Sequence, residues 1–349
     1  MMLRVRGVLV CVCVAVGVLC HGVRGDDAKG FVEEEIRFAG ADGFELRGAL
    51  LLPRGDVPQK GFAALLLLPG SGPTDRDGNQ PPFLVTNLLK ATAERLAESG
   101  IATLRFDKRA AHVYMAEWAE KDAEALNAFF AWDHFVGDAA AAYRVMVERD
   151  EVDGARAGIL GHSEGGLIAL CSARVLCAEG VDVAGLVLAG TAGRRLDVVM
   201  RDQLARQVSR DAEGEAFLEE FVRAAEAVRE TGKPPEELSA HLRMLFPPSA
   251  MDVLRAYFTV DPLAQARAYP GPVLVINGEM DVQVLAEKDF VLLRDALAER
   301  GEGSVEAVVV ERASHNFKRV ERMEDAGMFG PVVEEFLDAV VGWAEGALR

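Results

Sequence analysis

The sequence predicts an α/β fold whose mostly parallel sheet has an antiparallel hairpin at its N-terminal end and helices on both faces. Short apolar runs, typical of strands that are covered on both sides, alternate along the chain with longer segments of helical periodicity. Right-handed crossovers between parallel strands place such helices on both faces of the sheet. The glycine-rich and polar stretches come directly after strands, and sheets of this type bind ligands at the carboxyl ends of their strands.

The individual elements follow from periodicity and from turn residues. Residues 33–38 and 44–52 alternate apolar and polar side chains around a Gly-Ala-Asp-Gly turn, which predicts the antiparallel hairpin. The elements predicted after the hairpin are, in chain order, strand 63–68, helix 83–96, strand 101–106, helix 136–149, strand 157–160 with a helix directly after it, strand 186–189, strand 273–276, helix 290–298, strand 305–310 and helix 332–343.

Two longer segments do not fit this alternation. Residues 194–265 have helical periodicity almost throughout, with breaks at two proline pairs, 234–235 and 247–248. We therefore predict a helical insertion that acts as a lid, within a single domain that spans residues 26–349. Its apolar face around Phe221 is expected either to line a binding pocket or to pack as an ordinary helix face. Residues 107–135 are less regular, and no element is predicted before the helix at 136.

Residues 1–25 have the pattern of a secretory signal peptide. Arg4 and Arg6 precede an uncharged apolar stretch, Gly7 to Cys20, which is shorter than the roughly 20 residues of a spanning helix. Small residues suited to cleavage follow it. We therefore expect a secreted or periplasmic protein whose mature chain has no membrane span, and an uncleaved N-terminal anchor is the alternative.

Charge and cysteine content restrict the classes of partner. The net charge of −17 argues against nucleic acid and against an anionic membrane surface, because both attract basic proteins. Cys11, Cys13 and Cys20 lie in the predicted signal peptide. Cys171 and Cys177 lie six residues apart on one predicted helix, a separation of about 9 Å along its axis, beyond the reach of a disulfide. We expect two buried free thiols, and the absence of zinc-type spacing predicts no metal site.

The segment Gly161–Gly166 carries the candidate nucleophile. It reads Gly-His-Ser-Glu-Gly-Gly and lies between a buried strand and a helix, which is the position of a nucleophile elbow. At such a sharp turn the hydroxyl of Ser163 is exposed, and the flanking glycines avoid collisions that a side chain would cause. The alternative is a glycine-rich turn before a packed helix.

A serine hydroxyl needs a general base, usually a histidine that a carboxylate orients. In hydrolases with a nucleophile elbow the chain order is serine, acid, histidine. His315 follows the last predicted strand and is the predicted base. Asp281 follows strand 273–276 and is the predicted acid, with Glu279 as the alternative. His162 is expected to pack with its side chain directed away from the hydroxyl. The remaining histidines outside the signal peptide, which are assigned no role, are His112, His134 and His241.

The oxyanion that forms during acyl transfer needs backbone N–H donors. One predicted donor is the amide of Glu164, directly after the nucleophile at the helix N-terminus. The second is the amide of Ser71 in the loop after strand 63–68, with Gly72 as the alternative. The side chain of Glu164 is expected to lie where the helix dipole favours negative charge, and it is assigned no catalytic role.

Several of these segments resemble one known group of proteins. Gly161–Gly165, Pro69–Gly78, Leu104–Arg109 and Gly278–Val284 resemble the serine α/β-hydrolases of the secreted-carboxylesterase and serine-aminopeptidase-like group, and Gly193–Asp197 is also similar. The resemblance spans roughly residues 33–345. It implies Ser163 as nucleophile, Asp281 as acid and His315 as base, in the hydrolysis of carboxylic esters through an acyl-enzyme without a cofactor. The chain departs from the group after Arg109, where a glycine-rich stretch is usual.

Three functions are compatible with the sequence. The first is an esterase that acts on small or medium acyl esters. The second is a peptidase or amidase that uses the same triad, which would be favoured by an acidic cluster that binds an α-amine. The third is a non-catalytic binding protein on the same fold, because fold does not determine function.

Overall fold

One eight-stranded sheet forms the centre of the computed structural model, which describes residues 30–301, 303–325 and 327–349. The strand order is β1-β2-β4-β3-β5-β6-β7-β8. The pairs β1–β2 and β2–β4 are antiparallel and the remaining pairs are parallel, which confirms the predicted sheet. The predicted signal peptide, with its three cysteines, lies outside the described residues. The strands are β1 (Phe31–Ala39), β2 (Glu45–Pro53), β3 (Phe62–Leu68), β4 (Ala102–Phe106), β5 (Val152–His162), β6 (Leu186–Ala189), β7 (Val273–Gly278) and β8 (Val305–Val310).

The helices lie between and after the strands. Short 3-10 turns precede some of them, and a π turn at Ala286–Phe290 leads into the helix after β7. No helix among the described residues has the length and apolar character needed to cross a bilayer. The helices are α1 (Leu88–Glu98), α2 (Met115–Trp118), α3 (Ala123–Phe129), α4 (Trp132–Val147), α5 (Glu164–Ala178), α6 (Leu196–Ala205), α7 (Ala212–Thr231), α8 (Ala240–Arg243), α9 (Met251–Thr259), α10 (Pro262–Ala268), α11 (Val291–Ala298) and α12 (Glu334–Ala347).

The sheet separates two hydrophobic cores, and β3 contributes to both. Its residues are all buried, and alternate side chains face opposite sides because the side-chain period of a strand is two. Leu66 packs with apolar side chains of α4, α5 and α11 on one face. Leu65 packs with those of α1 and α12 on the other. Helices therefore cover both faces of the sheet, as the apolar runs predict.

The segment between β6 and β7 consists mainly of helices α6 to α10, and the breaks predicted at both proline pairs are confirmed. Phe221, on the predicted apolar face of α7, packs with Phe246 and Phe258 in a separate small core. This face is therefore ordinary helix packing within the segment. Among its contacts with the rest of the domain, Asp252 Oδ2 on α9 accepts a hydrogen bond of 2.8 Å from the amide of Trp132, and Arg194 Nε, before α6, donates 3.0 Å to Asp289 Oδ1.

The helix predicted at 83–96 begins later, at Leu88, because side-chain hydrogen bonds organise a turn before it. Asn87 has a φ of 51°, in the left-handed region, which stops the helix from extending backwards. The hydroxyl of Thr86 donates to the carbonyl of Gly78 and accepts from the amide of Leu88. Thr86 therefore competes with helical hydrogen bonding, as short polar side chains often do.

The prediction of two buried thiols is wrong for Cys177, which is exposed, while Cys171 is half-buried. Both are free, as expected. Six residues at about 100° per residue place the two side chains on different faces of α5, so only one of them can turn toward the core. Burial is the main reason that the pKa of the Cys171 thiol rises to about 12.

Candidate active site

Ser163 occupies the turn between β5 and α5, and its backbone is strained. Its φ of 57° and ψ of −121° lie outside the regions that L residues ordinarily adopt. The amide of Ser163 donates a hydrogen bond of 2.8 Å to the carbonyl of Ala189 at the end of β6. This conformation is typical of a nucleophile elbow.

The glycines of the elbow are required by close approach of the backbone. A Cβ added to Gly161 would lie 2.1 Å from the carbonyl oxygen of Gly165. A Cβ added to Gly165 would lie 2.5 Å from the carbonyl oxygen of Leu68, at the end of β3. The first turn of α5 therefore lies directly against the ends of β3 and β5, and no larger residue fits at either position without a shift of the backbone.

His315 and Asp281 form a buried pair in the loops after β8 and β7. Nδ1 of His315 lies 2.7 Å from Oδ2 of Asp281. Oδ1 of Asp281 accepts hydrogen bonds from the amides of Gln283 and Val284, at 2.8 and 2.9 Å, which fixes the carboxylate. Because a carboxylate is an acceptor, Nδ1 carries the hydrogen and Nε2 is left as the basic nitrogen. The alternative acid, Glu279, instead accepts from the amide of Arg312 at 2.9 Å.

Ser163, Ser71 and His315 line one pocket of about 80 Å³ at the carboxyl edge of the sheet. The loop after β3 runs beside the nucleophile, since a Cβ added to Gly70 would lie 3.3 Å from Cβ of Ser163. In the described ranges, His162 and His315 are the only histidines that line this pocket. The side chains that complete the lining are Thr74, Gln80, Leu84, Leu88, Gln283 and Asn316.

The two predicted oxyanion donors lie at the ends of β3 and β5. In the part of the chain that the structure describes, the amides of Ser71 and Glu164 donate no hydrogen bond to the protein, so both are available to a bound substrate. The carbonyl of Ser71 accepts hydrogen bonds from the side chains of Thr74 and Gln80, at 2.8 and 2.9 Å, which fixes the loop. Gly72, the alternative donor, has a φ of 83° and lies against the side chain of Gln80.

His162 makes a contact that the sequence does not reveal. It is buried, and its Nε2–H donates a hydrogen bond of 2.9 Å to the backbone carbonyl of His315. The two imidazole rings lie 4.8 Å apart between centroids. Burial, reinforced by the neighbouring His315, lowers the pKa of His162 to about 3, so it is neutral at physiological pH. His162 therefore supports the backbone of the predicted base in addition to packing.

Glu164 lies in the first turn of α5, where the helix dipole favours negative charge, and its side chain has partners that the sequence does not indicate. It is buried, and its two oxygens accept hydrogen bonds from Lys108 Nζ, at 2.9 Å, and from the hydroxyl of Tyr257. These partners lie after β4 and on α9, far from Glu164 in sequence. The only sequence signal for Lys108 is the Asp-Lys-Arg segment after strand 101–106, which does not indicate a partner.

In the described ranges, no group of three or more His, Cys, Asp and Glu side chains is arranged to hold a metal ion. The residues that converge on the pocket are instead a hydroxyl, an imidazole with its carboxylate, and free amides. That combination is suited to acyl transfer through a serine nucleophile.

Comparison with known proteins gives structural matches only. No protein-family model matches the chain, and no curated protein matches it in sequence. A carboxylesterase from a metagenomic library, EstE1, is 18% identical with a TM-score of 0.55, over 91% of this chain and 90% of its own. An esterase of Pyrobaculum calidifontis is 21% identical with a TM-score of 0.55, over 91% of this chain and 84% of its own.

Dienelactone hydrolase from Anabaena variabilis is 17% identical with a TM-score of 0.53, over 92% of this chain and all of its own. Identities this low establish the architecture and leave the chemistry to be argued from the site. The sheet order, the antiparallel N-terminal pair and the flanking helices agree with these structures, and the chain has the α/β-hydrolase fold.

Proposed function

We propose that this protein is a serine hydrolase that cleaves carboxylic esters through an acyl-enzyme. The observation that carries the proposal is the placement of Ser163, on a strained strand-to-helix turn, in one pocket with His315, whose Nδ1 lies 2.7 Å from Asp281. A buried carboxylate that fixes the tautomer of a histidine, in one pocket with a half-buried serine, is the arrangement that acyl transfer requires.

The proposed reaction has two halves. Nε2 of His315 removes the proton of the Ser163 hydroxyl while Oγ attacks the ester carbonyl, and the amides of Ser71 and Glu164 stabilise the oxyanion. His315 then donates that proton to the leaving alkoxide, which leaves as the alcohol, and Ser163 retains the acyl group. Water, deprotonated by His315, attacks the acyl-enzyme, and proton return to Ser163 releases the carboxylic acid.

The lining of the pocket favours ester substrates over peptides. An aminopeptidase needs a carboxylate that holds the α-amine of its substrate, and the described lining contains no Asp or Glu. The neighbouring structures are named as esterases and as a dienelactone hydrolase. The volume of about 80 Å³ suits a small acyl group. We propose that the helical segment 194–265 acts as the lid over this pocket.

The test compares wild type and Ser163→Ala on short p-nitrophenyl esters and on aminoacyl-naphthylamides. We expect wild type to hydrolyse esters and Ser163→Ala to be inactive while keeping the fold by circular dichroism. A fluorophosphonate probe should label Ser163. Wild type that hydrolyses only the amide substrates would indicate the peptidase alternative, and folded wild type that neither turns over substrate nor labels would indicate a binding protein.

Secretion remains a prediction from the sequence, because residues 1–25 lie outside the described residues. N-terminal sequencing of protein recovered from an expression host tests it. A mature chain that begins near residue 26 would support export, and an intact chain retained with the membrane fraction would support the anchor.

A further inference from the structure

Lys108, two residues after β4, lies behind the proposed oxyanion donors. Its side chain is only 6% exposed, and its ammonium group contacts two loops at once. Nζ donates 3.0 Å to the carbonyl of Gly70, after β3, and 2.9 Å to Oε2 of Glu164, after β5. The ring of Phe135 lies 5.1 Å from Nζ on a third side. The ammonium group thus contacts both segments that carry a proposed oxyanion donor, the loop after β3 and the start of α5.

The contact with Gly70 has a direct geometric consequence. The carbonyl of Gly70 and the amide of Ser71 belong to the same planar trans peptide, so they point in opposite directions. An ammonium group that holds the carbonyl therefore fixes the direction of the Ser71 N–H. Hydrogen bonds from a charged donor are shorter and stronger than neutral ones, which makes Lys108 an effective anchor.

The contact with Glu164 holds the side chain of the residue that supplies the second donor, and Tyr257 extends the arrangement to the helical segment. Glu164 supplies the other proposed N–H, and its carboxylate is held from both sides, by Lys108 and by the Tyr257 hydroxyl. Burial, together with the Glu164 carboxylate, raises the pKa of Tyr257, so its hydroxyl stays protonated and donates. Tyr257 lies on α9 and also packs edge-on against Trp132.

We propose that Lys108 is a positioning residue that holds both N–H donors of the oxyanion site, and that Tyr257 couples the helical segment 194–265 to it through Glu164. The proposal rests on the proposed function of the site. Donor placement is decisive for acyl transfer, because a displacement of about 1 Å in a catalytic group can cost about 100-fold in rate. The competing explanation is a buried ion pair that only stabilises the fold.

The first test separates these two explanations with Lys108→Met and the double variant Lys108→Met/Glu164→Gln. Lys108→Met should lower kcat about 100-fold on a short p-nitrophenyl ester, with KM within about twofold. It should also lower the melting temperature, because the Glu164 carboxylate is left buried without its cation. The double variant removes that charge, so the melting temperature should recover while kcat stays low, since nothing holds the Gly70 carbonyl. Recovery of kcat together with stability would overturn the proposal.

The affinity for a transition-state analogue distinguishes a positioning role of Lys108 from a purely structural one. A trifluoromethyl ketone forms an oxyanion adduct with Ser163, so its affinity should fall in Lys108→Met by about the factor lost in kcat/KM. Binding of the uncleaved ester, measured in the Ser163→Ala background, should not change. Equal weakening of both ligands would show that Lys108 shapes the pocket in general, and this would overturn the assignment.

The tyrosine contact has a matched control elsewhere in the core. Tyr257→Phe and Tyr143→Phe each remove one buried hydroxyl, and that of Tyr143 shares its hydrogen between the carbonyls of Ala157 and Asp182, at 2.8 and 2.9 Å. Both variants should be less stable than wild type. Only Tyr257→Phe should lower kcat, by about 10-fold. Equal kcat in the two variants would overturn the coupling to the helical segment.

The outcomes are distinguishable from a failure of the proposed function. Wild type that neither hydrolyses esters nor is labelled at Ser163 by a fluorophosphonate would overturn the proposed function and this inference with it. Active, labelled wild type together with full kcat in Lys108→Met would overturn only the role of Lys108.

Discussion

Nε2 of His162 lies 2.9 Å from the backbone carbonyl of His315, so the residue before the proposed nucleophile supports the residue proposed as its base. The pair links the end of β5 to the loop after β8, across the two strands β6 and β7 that lie between them in the sheet. Because His162 is buried, the contact also makes the folded protein sensitive to acid.

The free energy of unfolding should decrease as the pH is lowered, in a window set by His162. Its pKa in the folded state is about 3, below its ordinary value of 6.5, because burial disfavours the charged form. Between pH 6.5 and about 3 the unfolded chain therefore binds a proton at His162 that the folded chain does not. The stability that depends on neutral His162 is complete above pH 6.5 and is lost as the pH falls toward 3. One proton corresponds to a slope of about 1.4 kcal/mol per pH unit.

Urea unfolding at several pH values checks this expectation against His162→Phe. The variant keeps an aromatic ring but has no group that titrates, so its free energy of unfolding should depend less steeply on pH in that window. It should also lose about 1–3 kcal/mol at neutral pH, because the buried carbonyl of His315 loses its donor. Parallel pH profiles for wild type and variant would contradict the assignment.

The choice between the two acidic residues after β7 is testable by kinetics. Asp281→Asn should lower kcat by about 10⁴-fold, because an amide can stabilise the wrong tautomer of His315 and cannot stabilise the imidazolium. Glu279→Gln is the matched control and should stay within about twofold of wild type, since Glu279 contacts the amide of Arg312 instead. The measurement is kcat on the ester that wild type prefers. A large loss of kcat in Glu279→Gln without a loss in Asp281→Asn would assign the role of the acid to Glu279.

The parts of the site that the sequence predicts are those that chain order and strand ends determine. Ser163, Asp281 and His315 each follow a buried strand, and parallel strands bring their carboxyl ends to one edge. Strand ends that are recognisable in the sequence, together with the serine–acid–histidine chain order, therefore predict these three residues. Their catalytic roles remain predictions until activity is measured.

Contacts between distant segments could not be predicted in the same way. Lys108, Glu164 and Tyr257 lie on three segments, and periodicity indicates which residues are buried without indicating which ones meet. The start of α1 was predicted too early for a related reason. The hydrogen bonds of Thr86 depend on the carbonyl of Gly78, which the sequence does not place beside it.

The close packing of the elbow predicts opposite effects at two glycines. Gly161→Ala places a Cβ 2.1 Å from the carbonyl of Gly165, so it should destabilise the protein by about 3 kcal/mol or more. Gly342→Ala, on α12 with nothing within 4 Å of the added Cβ, should stabilise it by about 0.5–1 kcal/mol. Chemical denaturation of both variants measures the difference. Similar stability in the two would show that the elbow backbone adapts readily.

The backbone strain at Ser163 predicts the relative stability of two variants that lack its hydroxyl. A residue with a side chain at a φ of 57° and ψ of −121° is strained by about 1–3 kcal/mol, and both serine and alanine carry that strain. Glycine relieves it but has greater entropy in the unfolded chain, by about 0.5–1 kcal/mol. Ser163→Gly should therefore be more stable than Ser163→Ala by about 1 kcal/mol, while neither hydrolyses esters.

Urea unfolding of the two variants under identical conditions measures this difference directly. Because both lack the hydroxyl, the comparison does not depend on the catalytic role of Ser163. If Ser163→Ala were the more stable variant, the turn would relax without strain, and the placement of Ser163 in the pocket would need another explanation than the forced geometry of the elbow.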